Sequence, residues 1–341
     1  MELAVQQATL RFATPLATAF GALRERVIFV VCLRGADGVT GYGEAAPLEA
    51  YDGVPAAAVQ AALGAYAEVL RDLGDATGGE VLDACRAVAD LPQALAAIDL
   101  ALWDRAGRRE GMPVASLITD DPAGTVAVNA TIGADDRAGA AEAALRARLS
   151  GFGCVKVKVG IGDDAGRVAA VRAAAGPAMQ LRLDANGAWS VEQAVRSIEA
   201  LAPAGLEFVE EPVHGVPAMR AVRERVAVRV SMDETAADPG ALSAAVADAV
   251  CLKVARCGGI SGLLAQASLV RASGAEVYVA SSFDGPLGIA AGLHCAAALR
   301  CQAACGLATL EKFEGMADVL PVRRGAMAVP TGRGLGVEFP A

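Results

Sequence analysis

Charged residues end five short apolar segments in the middle of the chain, and their types could do chemistry. They are Lys156 and Lys158, then Asp184, the pair Glu210–Glu211, the pair Asp233–Glu234, and Lys253. Three carboxylates that converge in a desolvated site repel one another strongly unless a divalent cation lies between them. Oxygen ligands suit Mg²⁺, and lysines beside such an ion can act as general acid and base. The pattern predicts a magnesium site flanked by acid–base lysines.

The five segments recur at a regular interval, which predicts the elements that position these residues. They cover residues 155–159, 181–184, 206–210, 228–233 and 249–253. Their spacing of roughly 20 to 26 residues is what a strand, a helix and two short turns require. Such a repeat predicts βα units with parallel strands. If the strands close into a barrel, their C-terminal ends share one face, where barrel enzymes carry their active sites.

The segments before this repeat predict a second, smaller unit of strands and helices. Residues 27–33 and 39–44 predict a β-hairpin, and residues 56–73 and 91–108 carry apolar side chains at helical spacing. Residues 13–21 have no clear period and are either a plain connection or a lid over a site elsewhere. Further expectations are a first barrel strand over 125–132, a helix over 239–247, and a tail from about 310 that returns to the N-terminal unit.

The composition argues against several classes of protein. The 341 residues carry a net charge of −9 with a pI near 4.9 and no basic cluster, which argues against nucleic acid and anionic membranes as partners. No uncharged run is long enough to span a bilayer and the N-terminus lacks a signal pattern, so we expect a cytoplasmic protein. The eight cysteines form no Cys-x-x-Cys pair and are expected to be reduced core residues.

Several residues leave alternatives open. Lys156 and Lys158 lie two apart on one strand and share a face; each is expected to lower the pKa of the other, which favours a neutral amine. Adjacent residues on a strand point to opposite faces, so only one acid of Glu210–Glu211, and one of Asp233–Glu234, can serve the site. Arg182 either tunes the charge of the lysines or neutralises a core carboxylate. The residues expected to be structural are His214 and His294.

The order of these motifs resembles a known family. Lys-x-Lys, Asp-Ala-Asn-Gly, Glu-Glu-Pro, Asp-Glu and Leu-Lys-Val with Gly-Gly-Ile follow one another as in the enolase superfamily, and in particular its muconate-lactonising subgroup. The resemblance covers almost the whole chain. It implies an α/β fold in which a modified (β/α)7β TIM-like barrel, residues 118–309, carries an α+β capping domain. The capping domain would comprise residues 1–117 and be completed by the tail, residues 310–341.

The resemblance also implies roles for the charged residues. The implied ligands of one Mg²⁺, for which Mn²⁺ is an expected substitute, are Asp184, Glu210 and Asp233. Lys158 and Lys253 would face the reacting carbon of the substrate, with Lys156 supporting Lys158. The implied reaction is Mg²⁺-dependent abstraction of a proton α to a carboxylate, which gives an enediolate.

Within the subgroup, residues 251–260 and 280–293 are most similar to o-succinylbenzoate synthases. The similarity implies a lyase that forms o-succinylbenzoate by dehydration, as in menaquinone biosynthesis. The partner would be a small carboxylate substrate, and a homo-oligomer is compatible with this expectation. The implied substrate contacts are Phe20 on the capping loop, Ser281, Ser282 and Asp284.

Some segments depart from the synthase pattern and favour other substrates. Gly285-Pro286 replaces an expected small polar residue, and residues 15–20 and 51–53 look at least as much like cycloisomerases or dipeptide epimerases. The alternatives are a muconate-type cycloisomerase, an N-acylamino acid racemase and a dipeptide epimerase, although the Asp-x-Asp of dipeptide epimerases is not seen in the tail. Two other classes are a metal-free lyase with a lysine Schiff base, which borohydride would trap, and a non-catalytic binding barrel without Mg²⁺ dependence.

Overall fold

An antiparallel sheet of three strands begins the chain, with β1 (Glu2–Thr18), β2 (Gly21–Arg34) and β3 (Thr40–Ala45). The computed structural model describes residues 1–18, 21–74, 76–133 and 136–338. β1 and β2 pair up to the tip of their hairpin, where Thr18 lies opposite Gly21. The expectation of an irregular loop over 13–21 is wrong for residues 16–18, which pair with β2, whereas the pairing is interrupted between Arg11 and Leu16. The predicted contact residue Phe20 lies outside the described residues.

Helices follow the sheet, and three of them share a hydrophobic core with β2 and β3. They are α1 (Glu49–Asp52), α2 (Ala56–Asp72), α3 (Gly78–Val88), α4 (Pro92–Glu110) and α5 (Val114–Ile118). Phe29 and Leu33 of β2, Tyr66 of α2 and Ile98 of α4 are fully or almost fully buried in this core. The helices predicted over 56–73 and 91–108 are confirmed. The unexpected helix α3 begins with a capping box, in which Thr77 and Glu80 each accept a hydrogen bond from the other's backbone amide.

Seven parallel strands form the second sheet, in the order of the sequence. Two short strands, β4 (Thr125–Ala127) and β5 (Ala130–Ile132), come first, and β5 begins the parallel sheet. It continues with β6 (Cys154–Lys158), β7 (Gln180–Asp184), β8 (Leu206–Glu210), β9 (Val230–Met232), β10 (Ala249–Lys253) and β11 (Glu276–Ala280). Residues 305–306 bridge Val128 to Ala280 in parallel, which curls the sheet into a barrel. This is the predicted α/β barrel, except that the strand expected over 125–132 is divided at Asn129, because β4 pairs with the C-terminal tail instead.

Helices cover the outside of this sheet after most of its strands. They are α6 (Arg137–Leu149), α7 (Asp164–Ala175), α8 (Val191–Leu201), α9 (Val216–Arg223), α10 (Ile260–Ala272) and α11 (Pro286–Ala298). The helix predicted over 239–247 is wrong: this region holds a single 3-10 turn, Ala241–Ser243, which follows another at Glu234–Ala237. Gly240 has a φ of 79° and Ala245 a φ of 51°, so the backbone cannot continue as a right-handed helix. Among the described helices, none is both long and apolar enough to cross a bilayer.

The tail, which was expected to return to the N-terminal unit, contacts both that unit and β4 at the start of the predicted barrel. Strands β12 (Val322–Arg323) and β13 (Ala326–Ala328) follow α11, and β13 pairs antiparallel with β4. Phe313 forms a backbone bridge to Phe12, and its ring lies 4.5 Å from the ring of Phe12. The predicted boundary between a capping domain at residues 1–117 and a barrel at 118–309 stays a prediction.

Candidate active site

The rim of the barrel brings the predicted charged residues together at the C-terminal ends of the strands. Lys158, Asp184 and Glu210 are the last residues of β6, β7 and β8, and they lie side by side in register. Asp233 follows β9 directly, and Lys253 is the last residue of β10. Parallel strands place these ends on one edge, so side chains far apart in sequence converge there.

Asp184 lies between the two lysines of β6. Its Oδ2 accepts hydrogen bonds from Lys158 Nζ at 2.6 Å and from Lys156 Nζ at 3.0 Å, and the residue is fully buried. Burial raises the pKa of Asp184, but the two ammonium groups lower it by more, so the net pKa lies below the usual range. Asp184 therefore remains a carboxylate at neutral pH.

Two carboxylates, and not the neighbouring Lys158, have the larger effect on the pKa of Lys156. Its Nζ lies 3.0 Å from Glu210 Oε1 and 3.0 Å from Asp184 Oδ2. Burial lowers the pKa of Lys156, but these carboxylates raise it by more, and the net pKa lies above the usual value. The expectation that adjacent lysines would lower each other's pKa is therefore wrong for Lys156, because the acids of β7 and β8 lie closer to its ammonium charge.

Glu210 is the acid of its pair that faces the lysines. Its Oε2 accepts a hydrogen bond from Tyr278 Oη at 2.9 Å, and burial raises its pKa to about 7. Glu211 has a φ of 39° and turns the other way, where it accepts hydrogen bonds from the amides of Asp233 and Thr235, both at 2.9 Å. Glu211 thus holds the turn after β9 in place.

Both acids of the second pair lie at the rim. Asp233 accepts hydrogen bonds from Lys253 Nζ at 2.5 to 2.6 Å. Glu234 Oε1 accepts one from Asn186 Nδ2 at 3.0 Å, and Asn186 Oδ1 in turn accepts one from Lys158 Nζ at 2.7 Å. Burial raises the pKa of Glu234 to about 7. Glu234 and Asn186 therefore connect to Lys158, a link that strand parity alone did not predict.

Tyr51 reaches this rim from helix α1, outside the barrel. Its Oη accepts hydrogen bonds from Lys253 Nζ at 2.5 Å and Arg256 Nη1 at 2.8 Å, and it donates one to Asp233 Oδ1 at 2.8 Å. The Lys253 ammonium also lies 4.3 Å from the centre of the Tyr51 ring. In the sequence, Tyr51 stands out only as part of residues 51–53 after the hairpin, and no pattern places it at the site.

The donor set at the centre of the rim fits a hard divalent cation. Asp184, Glu210 and Asp233 are each at most 2% exposed, follow three neighbouring strands, and offer only oxygen atoms. Oxygen atoms of Glu210 and Asp233 lie within 4.8 Å of Cys251 Sγ. Burial raises the pKa of this thiol well above its usual value, so it remains protonated, and a thiol is a soft donor that Mg²⁺ disfavours. The three carboxylates match the ion better than the thiol does.

The loop after β11 carries the other predicted contact residues. Ala280 pairs in register with Lys253, so Ser281 continues the strand past the lysine; its Oγ lies 3.0 Å from Thr309 Oγ1. Ser282 Oγ is buried and has no hydrogen-bond partner among the described residues. Burial raises the pKa of Asp284 to about 6, while the nearby Arg26 lowers it. The three residues lie beside the rim, and their contact with a substrate stays a prediction.

Arg182 and His294 lie away from this rim chemistry, whereas His214 lies next to it, with its Nδ1 2.9 Å from Glu211 Oε1. Arg182 is fully buried and donates to Glu207 at 2.7 and 3.2 Å, with its guanidinium 4.5 Å from the Phe208 ring centre. Of the two alternatives, the structure supports neutralisation of a core carboxylate. His294 accepts from the Ala115 amide at 3.1 Å and lies 3.1 Å from Leu335 O, so it joins α11 to α5 and the tail.

The remaining predicted feature concerns the cysteines. All eight are free thiols, and five of them are buried. This placement agrees with the expectation of thiols in the core, with three of the eight lying nearer the surface than expected. The half-buried members are Cys32, Cys257 and Cys301.

Comparison with known proteins places both halves of the chain in one family. Residues 1–119 match the family described as mandelate racemase/muconate lactonizing enzyme, N-terminal domain, and residues 139–341 match the enolase C-terminal domain-like family. An o-succinylbenzoate synthase from Thermobifida fusca is 41% identical over 219 residues, which are 59% of this chain and 67% of that protein. A hydrophobic dipeptide epimerase from Enterococcus faecalis is 30% identical over 292 residues, 82% of each chain.

A solved structure supports the same relationship. The crystal structure of a dipeptide epimerase from Enterococcus faecalis, complexed with Mg and the dipeptide L-Leu-L-Tyr, has a TM-score of 0.91 and 25% identity to this chain and covers 99% of both. The similarity extends over the sheet, the helices and the barrel rim described above. The protein belongs to the enolase superfamily, in the family of mandelate racemase and muconate lactonizing enzyme.

Proposed function

We propose that this enzyme removes a proton α to the carboxylate of a small substrate, with Lys158 and Lys253 as its acid–base pair. The observation that carries the proposal is the position of these lysines. They end β6 and β10, four strands apart in the curled sheet, and the three carboxylates lie between them. A substrate carbon held over the carboxylates would present one face to each lysine.

The carboxylates of the rim would hold one Mg²⁺ through Asp184, Glu210 and Asp233. When bound, the ion supplies positive charge that stabilises the negative charge developing on the substrate carboxylate. Lys158, as the neutral amine, takes the proton from the α carbon, and Asn186 orients its Nζ through the 2.7 Å hydrogen bond. Tyr51 and Asp233 orient Lys253 in the same way from the opposite side. Lys156 supports Asp184 and Glu210 with its charge.

For the substrate we favour the precursor of o-succinylbenzoate. The 41% identity to the Thermobifida fusca synthase supports this assignment. In this reaction Lys158 takes a proton and a hydroxide leaves the ring, so the balance is the loss of one water. Lys253 remains charged beside the developing negative charge, in keeping with its net pKa, which lies well above the usual value because the Asp233 carboxylate outweighs the effect of burial.

A second candidate is the inversion of an α carbon, as in an epimerase or racemase. The 30% identity to the dipeptide epimerase, which extends over 82% of both chains, favours it. Here one lysine takes the proton and the other returns a proton to the opposite face, so both must exchange protons with solvent.

An absorbance assay with the cyclohexadiene precursor of o-succinylbenzoate, with and without Mg²⁺, tests the assignment. Rapid turnover that requires Mg²⁺ is expected for a synthase. If there is none, α-proton exchange in D₂O with N-acylamino acids, dipeptides and muconates tests the other candidates. An enzyme that exchanges no proton on any of these substrates would contradict the proposed chemistry.

The two candidates also differ in how single-lysine variants behave. In an epimerase each lysine serves one face of the α carbon. K158A and K253A should therefore each lose α-proton exchange with one enantiomer of the substrate and keep it with the other. In a synthase K158A should lose all activity. Exchange followed by NMR with both enantiomers separates these results.

A further inference from the structure

Two carboxylates from the first half of the chain reach the N-termini of barrel helices. Asp99 of α4 accepts hydrogen bonds from the Ser261 amide at 3.0 Å and the Ser261 hydroxyl at 2.5 Å, at the start of α10. Glu44 of β3 accepts one from the Gly285 amide at 2.6 Å, at the start of α11. Both side chains are nearly inaccessible, at 1% and 3% exposure. Each buried carboxyl group of the first unit therefore lies against the N-terminus of a barrel helix, where free amides and the helix dipole favour an acceptor.

Neither α10 nor α11 has a capping side chain of its own. Their N-cap residues are Gly259 and Gly285, which offer no side-chain oxygen. Helices α6, α7 and α8 are capped by their own side chains, Asp136, Asp163 and Ser190, whereas α9 begins at Gly215 without such a cap. The carboxylates of Asp99 and Glu44 thus take the place of the missing caps, from positions 162 and 241 residues away in the chain.

The glycines at these two positions leave room for the carboxylates. A Cβ added at Gly285 would lie 2.6 Å from Glu44 Oε2, and a Cβ added at Gly259 would overlap the carboxylate of Asp99. Any larger residue would displace the carboxylate from the helix end. This explains Gly285, which departs from the small polar residue expected at that position in the synthase pattern.

The two capped helices follow the loops that flank the candidate site. Residues 254–259 connect Lys253 to α10 and carry Arg256, whose guanidinium donates to Tyr51 Oη and to Glu234 O. Residues 281–285 connect β11 to α11 and carry Ser282 and Asp284. Fixing the first turn of each helix therefore fixes the end of each loop.

We propose that Asp99 and Glu44 are positioning residues, through which the capping unit sets the two loops that border Lys253. Two other hydrogen bonds connect the first unit to the same two segments. Arg26 of β2 donates to Phe283 O at 3.4 Å, and Trp103 of α4 donates to the Ser261 hydroxyl at 2.9 Å. The role in holding the loops is independent of the reaction, whereas the effect on turnover rests on the proposed function.

Hydrogen–deuterium exchange with mass spectrometry on the full chain tests the first part. E44A should speed exchange in peptides covering 283–290 and leave 258–264 unchanged, and D99A should do the reverse. The isosteric E44Q and D99N keep an acceptor oxygen and should exchange like the wild type. Should E44A fail to fold, E44D shortens the side chain by one methylene and is expected to loosen 283–290 in the same way.

Asp104 provides a matched control on the same helix as Asp99. It is fully buried and accepts hydrogen bonds from the amides of Tyr42 and Leu335, away from both helix ends. D104A should therefore change exchange near Leu335 and not at 258–264 or 283–290. Unchanged exchange in E44A and D99A, or the same general loosening in all three variants, would overturn the proposal.

Activity on whichever substrate the assays of the preceding subsection identify tests the second part. E44A should raise KM about tenfold with kcat nearly unchanged, because the loop it releases carries proposed binding groups. The double variant E44A/G285S gives α11 a cap of its own, which φ −80° at residue 285 allows. It should recover thermal stability while KM stays raised. Full recovery of KM would show that any cap suffices and would overturn a positioning role for Glu44.

The exchange measurement and the kinetic measurement can each contradict the proposal without the other. The exchange experiment needs no substrate, so it decides the role of Asp99 and Glu44 even if no α-proton chemistry is found. A serine cap cannot be introduced in the same way at the start of α10. Gly259 has a φ of 110°, which a serine would adopt only with strain. For Asp99 the comparison of D99A with D99N therefore carries the kinetic test, with kcat expected to fall only in D99A.

Discussion

At the scale of single residues, the position of a charged side chain could be predicted wherever it ends a strand. Lys158, Asp184 and the pair Glu210–Glu211 each follow an apolar run at a regular interval, which predicts their place at strand ends. The choice of Glu210 within its pair came from the family resemblance. Tyr51 could not be found, because it belongs to a four-residue helix 202 residues away from Lys253 and only the fold brings the two together. Strand parity also could not show that both Asp233 and Glu234 lie at the rim.

Removal of either rim lysine should abolish the overall reaction without unfolding the protein. Lys158 is one-third exposed, and the ammonium group of Lys253 bonds to the rim groups Tyr51 and Asp233, so alanine at either position removes a proton carrier at the rim. We expect overall turnover to fall by at least about a thousandfold, with an unchanged circular dichroism spectrum. Full activity of either variant would rule out the acid–base pair.

The Tyr51 hydroxyl should matter more for turnover than for stability. Y51F keeps the ring beside the Lys253 ammonium but removes the hydroxyl that meets Lys253, Arg256 and Asp233. We expect kcat to fall by roughly tenfold to a hundredfold and KM to change less. Steady-state kinetics measure the changes in kcat and KM separately. A melting temperature close to that of the wild type serves as the control. A variant with wild-type kcat would show that Tyr51 does not orient Lys253.

At the scale of elements, the repeat of strands was predictable and its exceptions were not. The helix expected after β9 is replaced by two 3-10 turns, since the Pro239-Gly240 pair and the positive φ at Ala245 break the helical path. The strand expected over 125–132 is divided because β13 competes for β4. Both exceptions depend on partners or backbone angles that local apolar patterns do not report.

The contact between β3 and α11 should make stability depend on pH. Burial raises the pKa of Glu44 to about 8, with Asp284 raising it further, and the positive Arg26 also lies near it. The folded state therefore keeps a proton that the unfolded chain releases near pH 4.5, so this stabilising contribution is lost as pH rises from about 4.5 to 8. The free energy of unfolding should fall by up to about 1.4 kcal/mol per pH unit in this window.

The variant E44Q isolates this contribution. Glutamine does not titrate, so E44Q should gain stability relative to the wild type as pH rises from 5 to 8, as measured by urea denaturation. A difference between the two proteins that stays constant over this range would show that Glu44 has an ordinary pKa. Because Asp284 and Arg26 are present in both proteins, their own titration affects both to a similar degree.

At the scale of the whole molecule, the family and the barrel were predictable because the motifs extend over most of the sequence. The relation of the two units was not, since the residues that join them, such as Glu44 with Gly285 and Asp99 with Ser261, lie 241 and 162 positions apart. No local pattern marks a carboxylate that will meet a helix end so distant in the chain. Only the folded structure shows these pairs.

Binding of Mg²⁺ should stabilise the whole fold if the three rim carboxylates form its site. An ion that binds only the folded state adds about 2.7 kcal/mol when its concentration is a hundred times its Kd. Differential scanning calorimetry should therefore show a higher Tm with Mg²⁺ than with EDTA. D184N and D233N should lose most of this increase, whereas the surface variant E142Q should keep it. An equal increase in all four proteins would indicate binding elsewhere.

The position of α11 also affects how the chain is made. Every residue from Pro286 to Ala297 is buried, and Ile28, Ala46 and Leu100 of the first unit share its core. Roughly 180 residues separate the end of α4 from the start of this helix. A ribosome needs about 10 to 40 seconds to add them, during which the surface that will receive α11 stays uncovered. The newly made first unit therefore exposes an apolar patch that either a chaperone or its own late helix must cover.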